Sequence, residues 1–249
     1  MKRGITFFAL LVVLQCGAQK DVTTSEQTWL GYIQQVRLTE KWGAIADVHF
    51  RTVNNWVQGN NLWLLRAGAT YFFNDRTQAT AGYAHFHYFA GESHPQDARP
   101  EHRLYQQILW MNNGPKLRLQ NRIRTEERWR QHMGSRGEAL PGYNFNWRFR
   151  AQWQLLYPLS KRLYAPGTLA LMVADEAMLN FGKEVVYNTF DQNRIIAGVQ
   201  WQTGKASFIQ AGYMHIFQQQ AAGNKYRQSH VARIFYTHNL DLRRRSETK

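Results

Sequence analysis

Between Pro115 and Arg130 every second residue is basic or polar: Lys116, Arg118, Gln120, Arg122, Arg124, Glu126, Arg128 and Arg130. A guanidinium is permanently charged and carries five donors in a rigid fork. On an extended chain, residues two apart share a face, so this row concentrates positive charge along one line. Such a line can do two kinds of chemistry. With carboxylates it builds a lattice of charge-assisted hydrogen bonds; without them it attracts anions, as basic rings do in pores. Arg148, Arg150, Glu176 and Arg194 recur in the same kind of alternating context. The expected charge network is therefore Arg118, Arg122, Arg124, Glu126, Arg128, Arg148, Arg150, Glu176 and Arg194. Arg37, Asp47, Arg51, Arg66, Arg103 and Arg233 also fall on polar faces. The expected arrangement is an internal brace in which a few carboxylates each bridge several arginines; the alternative is a basic constriction for anions.

Histidine offers a second set. His85, His87, His94 and His102 lie close in sequence, with Ser93 and Asp97 among them and His132 further on. A serine, a histidine and an acid could form a hydrolytic constellation, and His85 and His87 share a strand face as metal ligands would. Sequence spacing brings neither set together, and scattered histidines in loops and girdles are the more frequent arrangement. No catalytic residue, metal ligand or cofactor is assigned. His49 shares the polar face of its strand with Asp47 and Arg51, where ordinary hydrogen bonding is expected. Cys16 is the only cysteine. If it leaves with a signal segment, disulfides, thiolate metal sites and cysteine nucleophiles are excluded together.

The elements that must position these residues are long strands. From Tyr143 to Tyr157 the odd positions are Tyr, Phe, Trp, Phe, Ala, Trp, Leu and Tyr, and the even positions from Asn144 to Gln154 are all polar or charged. Soluble strands cluster near 5–6 residues, whereas a tilted membrane strand needs roughly 9–11. An arginine facing lipid at mid-membrane costs roughly 2–4 kcal/mol, so the charged face must be the lumen, and this fixes the register. Further strands are read near 29–38, 42–53, 62–73, 76–89, 101–112, 166–180, 190–202, 205–217 and 226–240. Short connections (39–41, 74–75, 112–114, 203–204) alternate with long ones (54–61, 90–100, 131–142, 181–189, 218–225). Short periplasmic turns and long outer loops are the asymmetry of outer-membrane barrels. The segments number eleven, but bacterial barrels have even counts. A twelfth strand hidden in Asp21 to Gln27 is therefore favoured within a range of ten to twelve. The fold class expected is all-β, a closed antiparallel transmembrane barrel.

Composition agrees with that setting. Mean hydropathy is −0.54 although 14% of residues are aromatic, as expected where only every second residue need be apolar. The net charge is +14. It does not point to nucleic acid, because the basic residues alternate within strands rather than lining one helix or tail. The exception is Arg243-Arg244-Arg245, read as a solvated terminal tail. Residues 1–18 have the anatomy of a cleaved secretory signal: Lys2 and Arg3, an apolar run from Ile5 to Leu14, then Cys16-Gly17-Ala18. One barrel domain is expected over 19–249, located in the bacterial outer membrane.

Three stretches carry a family resemblance: Arg122-Ile-Arg-Thr-Glu-Glu-Arg128 with Trp129, Asp175-Glu-Ala-Met-Leu-Asn180, and Phe190-Asp-Gln-Asn-Arg-Ile-Ile-Ala-Gly198. With Trp29-Leu-Gly-Tyr32 and the pairs Gly82-Tyr83 and Gly212-Tyr213, the chain resembles the domain-of-unknown-function family numbered 2490 over nearly its whole length. Phe-Asp-Gln-Asn-Arg is the most specific block, and Asp175 stands where the family's pattern suggests asparagine. The resemblance implies an outer-membrane barrel without established activity. The expected role is non-enzymatic, structural or interactive, with a largely filled lumen. A small anion-favouring pore is the alternative, and a lipid- or lipopolysaccharide-modifying barrel enzyme a distant one. The partners expected are outer-membrane lipid, lipopolysaccharide and the barrel assembly machinery, with the extracellular partner open.

Overall fold

A computed structural model describes residues 20–91, 96–114, 116–160 and 165–243; the signal-like segment 1–18, Ser93, His94 and Arg244-Arg245 lie outside them. Every element among the described residues is a strand: β1 (Asp21–Arg37), β2 (Trp42–Val53), β3 (Gly59–Phe72), β4 (Thr77–Tyr88), β5 (Arg99–Asn113), β6 (Arg118–Met133), β7 (Ala139–Pro158), β8 (Leu169–Phe181), β9 (Phe190–Gln202), β10 (Ser207–Gln219) and β11 (Lys225–Asp241). Each pairs with its sequence neighbours, and β1 meets β11 to close the barrel. Closure leaves no free edge to template aggregation.

Among the described residues the strand count is eleven, not twelve. Residues 21–27 form no separate strand; they are the front half of β1, paired with β11 alone, and only from Trp29 does β1 also pair with β2. The β1–β11 ladder is parallel while the other ten are antiparallel. An even count is needed only when closure is antiparallel throughout, so one parallel seam admits an odd number. The seam also sets Asp21 and Asp241 at opposite rims.

Several strands run further towards the long-loop rim than alternation indicates. β6 continues to Met133 and β7 begins at Ala139, which shortens their loop to 134–138. The extensions alternate poorly because a sheet that rises clear of the apolar band no longer needs one apolar face. At the short-turn rim the connection 159–168 breaks the pattern of tight turns. Elsewhere that rim is tied by ion pairs: Arg37 Nη1 lies 2.5 Å from Asp75, and Arg243 Nη1 2.9 Å from Glu40. The Arg37 hydrogen bond holds the carboxyl of Asp75, in its turn, below the usual carboxylate range.

The distribution of polarity is inverted. Ile195 is 52% exposed on the outer face and Ile108 49%, whereas Glu176 is 2% exposed and Arg124 3% inside. The interior is packed on both kinds of chemistry. Trp29, Leu156, Met172, Ile196, Met214 and Val231 form an apolar cluster, and Leu62, Leu64, Ala84 and Phe86 a second one.

Glycines set wall geometry at two matching places. Gly68 faces Gly82 across β3–β4, and Gly198 faces Gly212 across β9–β10. A Cβ on Gly82 would fall 2.7 Å from the Gly68 Cα and 2.8 Å from Cε1 of Tyr105, whose ring lies over the pair. Gly82→Ala is therefore expected to destabilise the barrel by about 1–3 kcal/mol through overpacking. Urea titration of the purified protein, read by heat-modifiable gel migration, checks this; an unmoved midpoint would show that the backbone of β3, whose Ala67 carbonyl oxygen lies closest to the added Cβ, gives way as freely as the ring.

Candidate functional site

The period of two turns the even residues of β6, β7 and β8 inward, and their charges meet in the lumen. Glu126 on β6 accepts from Arg150 Nη1 at 2.7 Å and Arg103 Nη1 at 3.1 Å, and lies 3.6 Å from Arg124 Nη1. Glu176 on β8 accepts from Arg150 Nη2 at 2.7 Å and Arg122 Nη2 at 2.6 Å, with Arg194 Nη1 at 3.5 Å. Arg150 thus joins the two glutamates, each of which faces three arginines. Arg124 directs Nε and Nη2 at Gln107 Oε1, 3.0 and 2.6 Å away. Arg148 pairs with Asp191 at 2.8 Å and donates to Asn180 Oδ1 at 3.3 Å. Arg128 and Arg103 both bond Glu101 Oε1, at 2.5 and 2.8 Å. Arg118 stands apart at the short-turn rim, where its Nε donates to Asn113.

A separate node lies on β2 and β3, where Asp47 receives Arg66 Nε at 2.8 Å and has His49 Nε2 2.9 Å from its other oxygen. Trp29 on β1 carries the Arg51 guanidinium 3.5 Å above its ring, with that of Arg194 at 5.1 Å. β1 and β9 are not neighbours in the wall, so this column crosses the interior. Trp29 Nε1 is satisfied by Gln27 Oε1 at 2.8 Å.

The sequence pattern sets Trp29 in a motif but not in the lumen, and it singles out neither Glu101 nor Asp191, both of which are buried. Glu101 shares parity with Arg103, Tyr105 and Gln107, so its signal was present in a strand of mixed pattern. Asp191 had the wrong parity. The β8–β9 register shifts between Met178 and Leu179, where Phe190 and Gln192 pair and Asp191 does not. That bulge turns Asp191 inward, to 2% exposure; one extra residue reverses the face of what precedes it.

The histidines face the other way. His85, His87 and His102 project from the outer face among aromatic rings. His87 stacks on Trp63 with centroids 5.3 Å apart, and the Tyr83 hydroxyl lies 2.5 Å from His102 Nδ1. The same pairing recurs at Tyr213 and His230, 2.6 Å apart. Asp97 accepts from the backbone N–H of Ala139. No group of three metal-ligating side chains meets among the described residues.

Removing one partner from a buried ion pair strands the other and costs about 3–5 kcal/mol. Glu126→Gln and Glu176→Gln are each expected to destabilise by about that amount. Because Arg150 serves both, the double substitution should fall short of the sum by more than about 0.5 kcal/mol. Denaturant unfolding of the four proteins measures the cycle; strict additivity would mean that Arg150 does not couple the glutamates.

A family model described as Protein of unknown function (DUF2490) matches residues 26–227. Searches of curated proteins and of solved structures found no match. The three stretches that carry the resemblance converge on the same lattice: Arg122, Arg124, Glu126 and Arg128 from the first, Glu176 and Asn180 from the second, Asp191 and Arg194 from the third.

Proposed function

The chain belongs to the DUF2490 family, and from that premise we propose that it is an outer-membrane β-barrel with a sealed, internally braced lumen and a non-enzymatic structural or interaction role. The observation that carries the location is the inverted polarity: apolar side chains such as Ile108, Ile195 and Ile234 are exposed around the outside while carboxylates and arginines are buried within. In water such a surface would associate; in lipid it is at its ease, and the charges are where lipid cannot reach them. The aromatic rings near the rims of the outer face match the headgroup depth. The residues 1–18 supply the export signal in this reading, the barrel assembly machinery inserts the folded wall, and the long loops face out to meet lipopolysaccharide and an extracellular partner.

The filled lumen supports a sealed barrel over a pore. Met172, Ala174, Met178 and Val231 point inward and are essentially inaccessible, and an apolar plug of that kind opposes ion entry. Glu126 and Glu176 neutralise arginines that a selective constriction would leave free.

Purified protein in planar bilayers is expected to give no discrete conductance steps across the usual voltage range, while fractionating with the outer membrane and migrating heat-modifiably on gels. Anion-selective steps that disappear on Arg122→Ala would establish the pore instead. A soluble product in the cytosol would overturn the location.

A further inference from the structure

Three arginines lie inside the long-loop mouth, above the lattice, without a counter-charge. Ladder registry sets Arg51 on β2 opposite Leu62 on β3, Leu62 opposite Tyr88 on β4, and Tyr88 opposite Arg99 on β5. All four fall in one inward-facing row. Arg130 on β6 lies opposite Glu101, one inward position from Arg99 along β5. Adjacent strands are about 4.8 Å apart, so Arg51 and Arg99 stand about 14 Å apart along the wall. Leu62 and Tyr88 lie between them in that row.

The Nε atoms of Arg51, Arg99 and Arg130 are all buried without a hydrogen-bond partner. None of the three guanidiniums has an ion-pair partner among the described residues. The carboxylate nearest in register is committed elsewhere: Glu101 is held by Arg103 and Arg128. Arg51 is fixed by its stacking on Trp29, which leaves the edge of its fork free for in-plane bonds. Tyr88 adds a hydroxyl beside the arginines, 3.5 Å from Arg103 Nη2. Beneath the row, Leu64, Ala84 and Phe86 make an apolar floor together with Leu62 of the row itself. All three side chains are part-exposed at the mouth while their Nε atoms are buried, and a buried donor without a protein partner is met by a water, an ion or a ligand. A brace does not need these three.

We propose that Arg51, Arg99 and Arg130, with Tyr88, form a blind binding site for the phosphoryl group of a solute that enters from the long-loop end. Arginine forks match phosphate oxygens bidentately, and three of them meet the charge of a phosphate dianion with one to spare. The floor favours a ligand with an apolar portion next to the phosphoryl group. β2 to β6 wall the row off from the outer face, so a dissolved phosphate ester has access that a laterally diffusing lipid headgroup does not. This site lies beyond the proposed structural role and does not depend on it: its test is made in detergent, where location plays no part.

Inorganic phosphate and pyrophosphate serve as probes, titrated by calorimetry into detergent-solubilised, lipopolysaccharide-free protein at constant ionic strength. Saturable binding near one equivalent is expected, together with a rise in unfolding midpoint. Arg51→Gln, Arg99→Gln and Arg130→Gln should each weaken binding at least tenfold, while Arg118→Gln, at the opposite rim, leaves it unchanged. Heat-modifiable migration checks that each variant is folded. Should Arg51→Gln misfold through loss of the Trp29 stack, the Arg99 and Arg130 variants decide. Absence of saturable binding, or equal weakening by Arg118→Gln, overturns the site. Lipid A in mixed micelles provides a second arm: if it displaces pyrophosphate, the site stands and its phosphoryl source is a headgroup rather than a solute.

Discussion

Arg150 holds two carboxylates at once, Glu126 on one side and Glu176 on the other, and the charged half of the interior is arranged around those bonds. A lone carboxylate in this interior would be prohibitively desolvated, and so would a lone guanidinium. Joined, they satisfy each other and still leave Glu126 able to receive Arg103, and Glu176 able to receive Arg122 and Arg194. The bonds link β5 through β9, five neighbouring strands. Ladder hydrogen bonds join a strand only to the next one. The lattice adds ties that skip strands, such as Arg122 on β6 to Glu176 on β8 and Arg148 on β7 to Asp191 on β9, and these resist shear between them.

The remaining interior uses different means. On the side of β8 to β1 an apolar cluster that includes Met172, Ile196, Met214 and Val231 packs as a core does, beside buried polar side chains such as Gln200, Ser229 and Arg233. Trp29 belongs to that cluster yet offers its ring face to Arg51 and Arg194. An indole does both jobs because its perimeter is apolar while its π-face attracts cations. Charged and apolar interior meet at such rings, at Trp29 under Arg51 and again at Phe86 under Arg103.

Much of this was legible because a period of two is a strict code. Tyr143 to Tyr157 declared both faces of β7, and the parity of Arg122, Arg124, Glu126 and Arg128 fixed β6 without reference to any neighbour. The code fails where its count fails. Asp191 reads as outward until the bulge at the start of β9 is known, and a bulge depends on the ladder with β8 rather than on the local residues. The twelfth strand came from a rule about even numbers that assumes antiparallel closure; which way β1 meets β11 is a contact between the two ends of the wall, and no local pattern encodes it. The pairing of individual acids and bases is likewise beyond sequence, since Glu101 and Glu126 both face inward and differ only in which arginines stand near them.

The wall carries one device twice, and the comparison separates what closure demands from what the lumen does. Ala81-Gly82-Tyr83-Ala84-His85 on β4 and Ala211-Gly212-Tyr213-Met214-His215 on β10 each set a glycine against a glycine of the preceding strand, and a tyrosine against a histidine of the following one. Backbone approach and outward rings are thus the same in both arcs. Their inward loads differ in detail: β3 to β5 present Arg66, Glu101, Arg103 and Tyr105 beside Leu62, Leu64 and Phe86, while β9 to β11 present Ile196, Met214, Ile216 and Val231 beside Arg194 and Arg233. Because alternate residues face opposite ways, the outer face can answer to the wall while the inner face varies independently. The arginines without ion-pair partners at the mouth use that freedom: Arg51, Arg99 and Arg130 occupy inward positions on β2, β5 and β6 that the repeated device leaves unspecified.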